Sequence, residues 1–306
     1  MDERLSRIIT QSTQRLLDEL EQTTPDMSAP VSGWMRSLAG GHAPDAYFKH
    51  PLAFPTLLLP WWLEETLSQQ MDLDFQSDIA YSSINGYYFI RMIDNVMDGE
   101  DTVEKKLLPS LAFFHAEFQT AYQKHFAPNH PFWELYRKVW FGTAEAAIHD
   151  ASIGEITLAT FERASSQKVR AAQIPVAAVC YKYGRPDLLE PWLEFVLRLG
   201  KWHQMFNDVF DWHKDSQNGN RTYFLSEAAR RKAAGESELT WILREGLALG
   251  CDNLRLWMLD AQDLADTLHS PALKAYLKER VTMFETRARA SLEGAAVLGK
   301  LAAATA

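Results

Sequence analysis

The chain is poor in cysteine, with only Cys180 and Cys251 in 306 residues. Each lies in an apolar stretch, and their spacing is not that of a metal site, so both are predicted to be buried free thiols. The sequence also lacks an apolar run of roughly 20 residues, the length that a membrane-spanning helix needs. Its first residues lack the apolar core of a secretory signal. We therefore expect a cytoplasmic protein with no stable membrane insertion.

Basic stretches and linkers are absent as well. The net charge is −9 and no stripe of Lys and Arg is present, which argues against a nucleic-acid partner. No Gly/Ser-rich or Pro-rich linker divides the chain, and no internal repeat is found. With 47% hydrophobic residues, the chain can bury a large core. We expect a single α-helical domain over residues 1–306.

Sustained alternation of apolar and polar residues is missing too, and β-branched residues are sparse, so the predicted fold class is all-α. A Gly/Pro-marked segment separates the first helix from the rest. Residues 78–98 are apolar nearly all round, which is typical of a helix in the middle of a bundle. The predicted helices cover residues 4–20, 61–70, 78–98, 103–125, 131–151, 158–183, 186–214, 239–264 and 271–298.

Acidic residues form two clusters in the sequence. The first cluster is Asp94-Asn95-Val96-Met97-Asp98. Tyr87, Ile90, Arg91 and Asp94 fall on one helical stripe with Asp98, so this face is apolar deeper down and acidic at its rim. That gradient suits a substrate with a hydrocarbon body and a charged head. The alternative is a solvated helix end in which Asp94 pairs with Arg91.

The second cluster lies on another predicted helix. Its polar row sits among large apolar side chains, and oxygen-bearing groups there are costly to bury without a cation or hydrogen-bond partners. Carboxylates four residues apart share a helical face and can hold hard cations such as Mg²⁺. A plain exposed face is the alternative. The row consists of Gln204, Asn207, Asp208, Asp211 and Asp215.

The charged head of such a substrate could be a diphosphate bound through metal ions. Metal neutralises only part of the charge of a diphosphate, so the site would also need cationic donors. Lys168, Arg163 and Arg91 are candidates. Arg221 and Tyr223 follow the second cluster in a polar run, 216–223, which is expected to form a loop able to fold over a helix end. Each of these residues taken alone is more simply a surface residue.

These residues resemble the class I isoprenoid synthase superfamily. The stretch from Phe89 to Asp98 looks like its first aspartate-rich motif, with Asn95 in place of the usual second Asp. The run from Gln167-Lys168 to Asp211 is similar to the prenyl diphosphate synthase run ending at the second motif. By this resemblance Lys168 and Gln204 would lie beside the diphosphate. The implied fold is a single large helical bundle with a central apolar cavity.

Two other branches of the superfamily are also resembled. Asn207, Asp211 and Asp215 repeat the ligand spacing of the terpene cyclase second motif, which usually has Ser or Thr in the middle and Glu at the end. Together with Gln204, Arg221, Tyr223 and Phe224 they look like the second motif of squalene/phytoene synthases. The resemblance covers roughly residues 87–224.

Departures from these patterns favour one branch. Chain-elongating synthases carry a Gly-Gly-Lys-Arg-type segment before the first motif and an Arg-Arg pair after it. Here residues 40–43 read Gly-Gly-His-Ala, and Gly99-Glu100-Asp101-Thr102 follows the motif. The basic residues that would bind the diphosphate of a second substrate are thus absent at both positions, which favours a terpene synthase acting on one prenyl diphosphate. Against this, the Arg-Tyr pair of many cyclases is missing, with Arg287 and Arg289 as stand-ins.

The resemblance implies a mechanism based on Mg²⁺, with three ions, or Mn²⁺ in its place. Asp94 and Asp98 would bind metal from one side and Asn207, Asp211 and Asp215 from the other, with Asp208 as a further ligand or as support behind them. Lys168, Arg221 and Tyr223 are the expected catalytic residues at the leaving diphosphate. Tyr87, Ile90, Arg91 and Gln204 are the expected substrate-binding residues.

Two alternatives to the terpene synthase stay open. The first is a prenyltransferase, either chain-elongating or head-to-head, which needs a second prenyl substrate. The second is a non-catalytic subunit that keeps the fold and the acidic helices. The expected partner is a prenyl diphosphate in either enzymatic case, and the sequence is compatible with a homodimer.

Overall fold

The computed structural model describes the backbone of residues 1–97, 105–151 and 156–305, and the side chains of these residues except 146–151 and 299–305. Within these ranges the chain forms helices and turns and contains no strand. The all-α prediction is confirmed. Across the same ranges, every helix is either too short or too polar to cross a membrane.

Fifteen α-helices follow one another along the described chain. They are α1 (Glu3–Thr23), α2 (Pro25–Leu38), α3 (Asp45–Lys49), α4 (Leu58–Leu67), α5 (Leu73–Met97), α6 (Ser110–Gln123), α7 (Phe132–Ala151), α8 (Leu158–Lys168), α9 (Gln173–Lys182), α10 (Leu189–Phe210), α11 (Trp212–Asn218), α12 (Tyr223–Arg231), α13 (Glu238–Trp241), α14 (Leu247–Thr267) and α15 (Pro271–Thr305).

The chain contains two compact units. The first comprises Met1–Ala147 and Ala171–Leu189, and the second comprises Ile148–Arg170 and Glu190–Ala306. The first unit thus holds α1 to α6, most of α7, and α9, whereas the second holds α8 and α10 to α15. The expectation of one domain over residues 1–306 stays a prediction.

Helices α1 and α5 form where the sequence predicts them. Asp2 caps α1 by accepting a hydrogen bond from the Arg4 backbone N–H at 2.7 Å. The predicted apolar face of α1 is buried, including Leu5, Ile9 and Leu16. Helix α5 is buried on several sides and packs against α1 and α6, so its central position in the first unit is confirmed.

The predicted helix 158–183 is wrong, because the chain breaks there. Helix α8 ends at Lys168, a 3₁₀ turn covers Arg170–Ala172, and α9 starts at Gln173. Pro175 lies in the first turn of α9, where its missing N–H costs no helical hydrogen bond. The proline therefore follows a break instead of kinking a continuous helix.

Other boundaries differ as well. Helix α2 fills part of the Gly/Pro-marked segment, with Pro25 at its first position, a favourable site for proline. The predicted loop 216–223 is shorter than expected because α11 continues to Asn218 and α12 starts at Tyr223. Gly219 adopts a left-handed conformation, φ 70°, at the C-terminal end of α11, as glycine often does.

A buried polar network fastens α9 to the rest of the first unit. The Glu64 carboxylate is fully buried and accepts hydrogen bonds from the Asp72 backbone N–H at 2.8 Å, the Gln76 amide and the Tyr183 hydroxyl. Lys182, at the end of α9, forms an ion pair with Asp72. Since a buried carboxylate is costly without partners, these contacts fix the position of α9 in the first unit.

Candidate functional site

The second acidic cluster lies where α10 gives way to α11, in the second unit. Asp211 separates the two helices with φ −108° and ψ 8°. Hydrogen bonds nevertheless continue across the bend, from the Asp211 N–H to the Asn207 carbonyl at 2.8 Å and from the Asp215 N–H to the Asp211 carbonyl at 3.0 Å. Asn207, Asp211 and Asp215 therefore follow one another at intervals of one turn.

The three side chains of this row are open to solvent to different degrees. Asn207 and Asp211 are exposed, and Asp215 is partly buried. Arg287 of α15 donates a hydrogen bond to Asp211 Oδ1 at 3.0 Å, and its guanidinium lies 4.9 Å from the centre of the Phe210 ring. The aromatic contact holds the arginine beside the acidic row.

Asp208 lies in a different environment from its neighbours. Its side chain is only 3% exposed. Gln204 Nε2 donates to Oδ1 at 2.8 Å, and the Tyr223 backbone N–H donates to Oδ2 at 3.3 Å. Burial raises the pKa of Asp208 to about 7, while the hydrogen bond from Gln204 and the nearby charge of Lys168 act in the opposite direction.

The structure brings several of the predicted residues of the second unit together. Lys168 and Asp215 both lie close enough to Asp208 to influence its pKa, with opposite signs. Lys168 ends α8, whose approach to α10 depends on Gly200: a Cβ there would lie 2.1 Å from Val169 Cγ2. Glycine at position 200 thus lets the residue after Lys168 pack directly on α10.

Tyr223 has its ring in the core. Phe161 of α8 stacks on it at a centroid distance of 5.0 Å, and Trp257 of α14 stacks on Phe161 at 5.8 Å. Burial raises the pKa of the Tyr223 hydroxyl. Arg221 is exposed in the turn between α11 and α12. The ring of Tyr223 therefore helps to position α8, in addition to any role at the diphosphate.

The first acidic cluster belongs to α5 in the first unit. Tyr87, Ile90, Arg91 and Asp94 are all partly buried, whereas Asn95 is fully buried. The predicted stripe is therefore a partly exposed face of α5. Asp98 lies outside the described residues.

Aromatic contacts support the apolar part of this stripe. Tyr47 of α3 stacks on Tyr87 at a centroid distance of 4.6 Å, and Phe48 meets it edge-on at 5.2 Å. Burial raises the pKa of the Tyr87 hydroxyl. Gly86 lets α6 approach closely, because a Cβ there would lie 2.9 Å from the Phe118 ring.

The donor atoms of the second cluster fit Mg²⁺ in kind, since they are carboxylate and amide oxygens. In the described part of the chain, no three side chains of His, Cys, Asp or Glu come together as a metal site. Mg²⁺ is commonly held by one or two carboxylates with substrate phosphates and water completing its shell, so an all-protein cage is not required. The row at residues 207, 211 and 215 meets this requirement with two carboxylates and one amide.

Two features of the second unit were not found by sequence reasoning. The sequence suggests Arg287 only as a stand-in for the Arg-Tyr pair of cyclases. Its hydrogen bond with Asp211 joins residues 76 positions apart, and local spacing cannot predict such a contact. His203 is the other: burial and the charge of Arg280 lower its pKa to about 4. His203 lies one turn before Asn207 and so shares the face of the row, but helical spacing does not show that its ring is enclosed.

Comparisons with known proteins give matches only at the level of structure. No protein-family model matches the chain, and no curated protein does so. Octaprenyl pyrophosphate synthase from Helicobacter pylori matches with a TM-score of 0.65 and 11% identity, over 91% of this chain and 99% of that chain. A candidate geranylgeranyl pyrophosphate synthase from Corynebacterium glutamicum matches with a TM-score of 0.54 and 15% identity, over 95% and 91%.

Sequence identity this low carries the fold and nothing finer. The fold of the two matching structures agrees with the fold that the motif resemblance predicts. The chain therefore has the all-α fold of these two prenyl pyrophosphate synthase structures.

Proposed function

We propose that the protein is a metal-dependent enzyme that releases diphosphate from a prenyl diphosphate. The observation that carries this proposal is the oxygen-rich row Asn207, Asp211 and Asp215, spaced by single turns at a helix bend, in a fold shared with two prenyl pyrophosphate synthase structures. Carboxylate and amide oxygens at intervals of one turn can hold a cation that carries a phosphorylated ligand.

The proposed metal ligands come from both acidic clusters. They are Asp94 and Asp98 of the first and Asn207, Asp211 and Asp215 of the second. Mg²⁺, or Mn²⁺ in its place, would neutralise charge on the departing diphosphate. By the resemblance, three such ions would be bound.

The chain's own cations and polar groups complete the anion site in this proposal. Lys168 and Arg221 would bind diphosphate oxygens as negative charge develops on them, which stabilises the transition state electrostatically. Arg91, Gln204 and Tyr223 would orient the same group. Tyr87 and Ile90 would exclude water from the hydrocarbon chain, whose cation the Tyr87 ring could stabilise.

Prenyl transfer is the reaction that this proposal favours. In this reaction the allylic C–O bond to the diphosphate breaks, a C–C bond forms to the double bond of a second prenyl substrate, and a proton leaves the product. The two matching structures bear the names of enzymes of this class and are covered almost along their whole length. They favour transfer over the cyclisation that the sequence alone suggests.

Cyclisation of a single prenyl diphosphate is the second candidate. It is favoured by residues 40–43, Gly-Gly-His-Ala, where chain-elongating enzymes carry basic residues for a second diphosphate. In the structure Gly40, Gly41 and His42 are exposed after α2, and this turn supplies no Lys or Arg. A substrate without a second diphosphate would need no such cations.

Product analysis separates these reactions. The protein would be incubated with prenyl diphosphates of ten to twenty-five carbons, singly and in pairs, with and without Mg²⁺. A longer diphosphate or a coupled product from a pair supports transfer, and a hydrocarbon or alcohol from one substrate supports cyclisation. Absence of diphosphate release from every combination would overturn both and leave the non-catalytic subunit.

A further inference from the structure

Asp208 connects the C-terminal part of α10 to the first residue of α12. Both carboxylate oxygens have a donor: Gln204 Nε2 at 2.8 Å for Oδ1 and the Tyr223 backbone N–H at 3.3 Å for Oδ2. With 3% of its surface exposed, the side chain is enclosed. Asp211, three residues later, differs, since about half of its side chain is exposed and it pairs with Arg287.

The hydrogen bond from the Tyr223 N–H to Asp208 caps α12 with a residue that is distant in sequence. The first four N–H groups of a helix have no partner within the helix. Thr222 satisfies one of them, since its hydroxyl accepts from the Leu225 N–H at 3.2 Å. Asp208 satisfies the N–H of Tyr223, the first residue of α12, from 15 positions earlier in the chain. A carboxylate here also interacts favourably with the helix dipole.

The turn between α11 and α12 is held from its other end by Asp215. Its backbone carbonyl accepts from the Asn220 N–H at 2.9 Å, and its Oδ1 accepts from Asn220 Nδ2 at 3.0 Å. Arg221 lies between this anchor at Asn220 and Thr222, the N-cap residue of α12. The backbone of Arg221 is thus fixed on both sides by carboxylates of the acidic row.

We propose that Asp208 is a positioning residue that holds the turn carrying Arg221 beside the acidic row, and that it is not itself a metal ligand. This assignment rests on the proposed function. It chooses between the two roles that the sequence leaves open for Asp208, a further metal ligand or a support behind the ligands. The engaged oxygens and the enclosure of the side chain favour support of the turn, while exposed Asn207 and Asp211 remain suited to bind metal.

Three variants separate positioning from metal binding: Asp208→Asn, Asp208→Leu and Asp211→Asn. Asparagine keeps an oxygen for the Tyr223 N–H, and rotation of the Gln204 amide lets it accept from the new amide group. Leucine has similar volume and no acceptor. Asp211→Asn is the matched control, because it makes the same chemical change at the exposed carboxylate.

Hydrogen exchange of the Tyr223 amide and Mn²⁺ binding followed by electron paramagnetic resonance give readouts that do not need turnover. Asp208→Leu is expected to speed exchange at Tyr223 by about tenfold, the effect of losing one cap. Asp208→Asn should keep the protection and the Mn²⁺ affinity of the unmodified protein. Asp211→Asn should weaken Mn²⁺ binding by about 10- to 100-fold and leave exchange at Tyr223 unchanged.

Kinetics add a further test with the prenyl diphosphate identified by product analysis. Asp208→Leu should raise KM and lower kcat because Arg221 is displaced, and Asp208→Asn should restore most of the loss. If Asp208→Asn weakens Mn²⁺ binding as much as Asp211→Asn, Asp208 is a ligand and the inference is overturned. If the unmodified protein turns over no prenyl diphosphate, the proposed function fails, while the exchange and Mn²⁺ results still decide the role of Asp208.

Discussion

The two acidic clusters differ in the kind of contact that other helices make with them. Asp94 lies one turn from the end of α5, and rings of α3 pack on Tyr87, which belongs to the same stripe. The second cluster is joined by hydrogen bonds to α15 through Arg287, to α12 through Asp208 and to the turn after α11 through Asp215. Spacing along a helix creates both rows, and residues distant in sequence contact both of them.

This difference explains how a polar row persists among large apolar side chains. Trp202 and Phe206 are buried on the same helix. The buried carboxylate of Asp208 is tolerated there because donors meet both of its oxygens, and the exposed carboxylate of Asp211 is solvated by water. The row in α10 and α11 is therefore preorganised by hydrogen bonds.

Removal of one carboxylate from each cluster is the strongest test of this comparison. Asp211→Ala and Asp94→Ala are each expected to lower turnover of the prenyl diphosphate by on the order of 10²–10³-fold, because charge on the leaving group loses stabilisation. Steady-state kinetics at saturating Mg²⁺ measures the effect, with circular dichroism to verify that helicity is retained.

Matched controls exist in both units. Asp260→Ala removes an exposed carboxylate that pairs with Arg198 at 2.6 Å, much as Asp211 pairs with Arg287. Asp74→Ala removes an exposed carboxylate from the first turn of α5. Neither change should affect turnover. Near-normal activity in Asp94→Ala or Asp211→Ala would remove that residue from the metal site.

Packing behind the two clusters should respond differently to a single methyl group. Gly200→Ala is expected to destabilise the protein by about 3 kcal/mol, since the new Cβ would lie 2.1 Å from the branched side chain of Val169. Gly86→Ala should cost less, about 1 kcal/mol, because the nearest atom of the Phe118 ring is 2.9 Å away and the steric overlap is smaller. Urea denaturation gives both free energies of unfolding.

A second substitution tests the cause of the larger effect. Val169→Ala removes both methyl groups that the new Cβ would meet and leaves only the Cβ of residue 169, at 3.1 Å, so the double variant Gly200→Ala/Val169→Ala should recover part of the lost stability. Equal destabilisation by Gly200→Ala and Gly86→Ala would show that the closer approach of α8 to α10 does not matter energetically.

A further modest effect concerns the stability of the protein in acid, through a histidine of the second unit. The pKa of His203 is lowered to about 4 in the folded protein by burial and by Arg280, from an ordinary value of 6.5. The unfolded chain thus binds a proton before the folded one does, and stability falls as the pH drops through this interval. Because His203 is partly exposed, we expect a loss of about 1–2 kcal/mol between pH 7 and pH 4.

His203→Gln should remove that part of the pH dependence, as measured by urea denaturation at both pH values. His213→Gln is the control, because His213 is exposed on α11. The same pH dependence in the His203 variant and the unmodified protein would mean that this histidine titrates alike in the folded and unfolded states.

Local spacing predicted the fold class, the face of α1, the central helix α5 and the continuous row at residues 207, 211 and 215. These features depend on residues within a few turns of one another. The break after Lys168 was not predicted, because the apolar pattern continues through Val169 to Pro175. The sequence does not predict helix α2, because prolines usually indicate turns, whereas Pro25 stands at a helix start.

The parts of the candidate site that escaped prediction are those set by distant contacts. Asp208 and Asp211 are alike in sequence, and their different environments arise from Tyr223 and Arg287. Amphipathic spacing identifies which residues share a face, but not which oxygen of that face is enclosed. For the same reason the individual roles of the residues at 207, 208, 211 and 215 stay predictions.

The position of α9 has a consequence for how the protein is made. The first unit needs Lys182 and Tyr183 as partners for Asp72 and Glu64, and these residues follow α8 of the second unit in the chain. During synthesis, more than a hundred residues must therefore be added after Glu64 before the Tyr183 hydroxyl can donate a hydrogen bond to its carboxylate. A fragment ending at residue 147 should be a poor independent folder, so the two units cannot be separated by one cut.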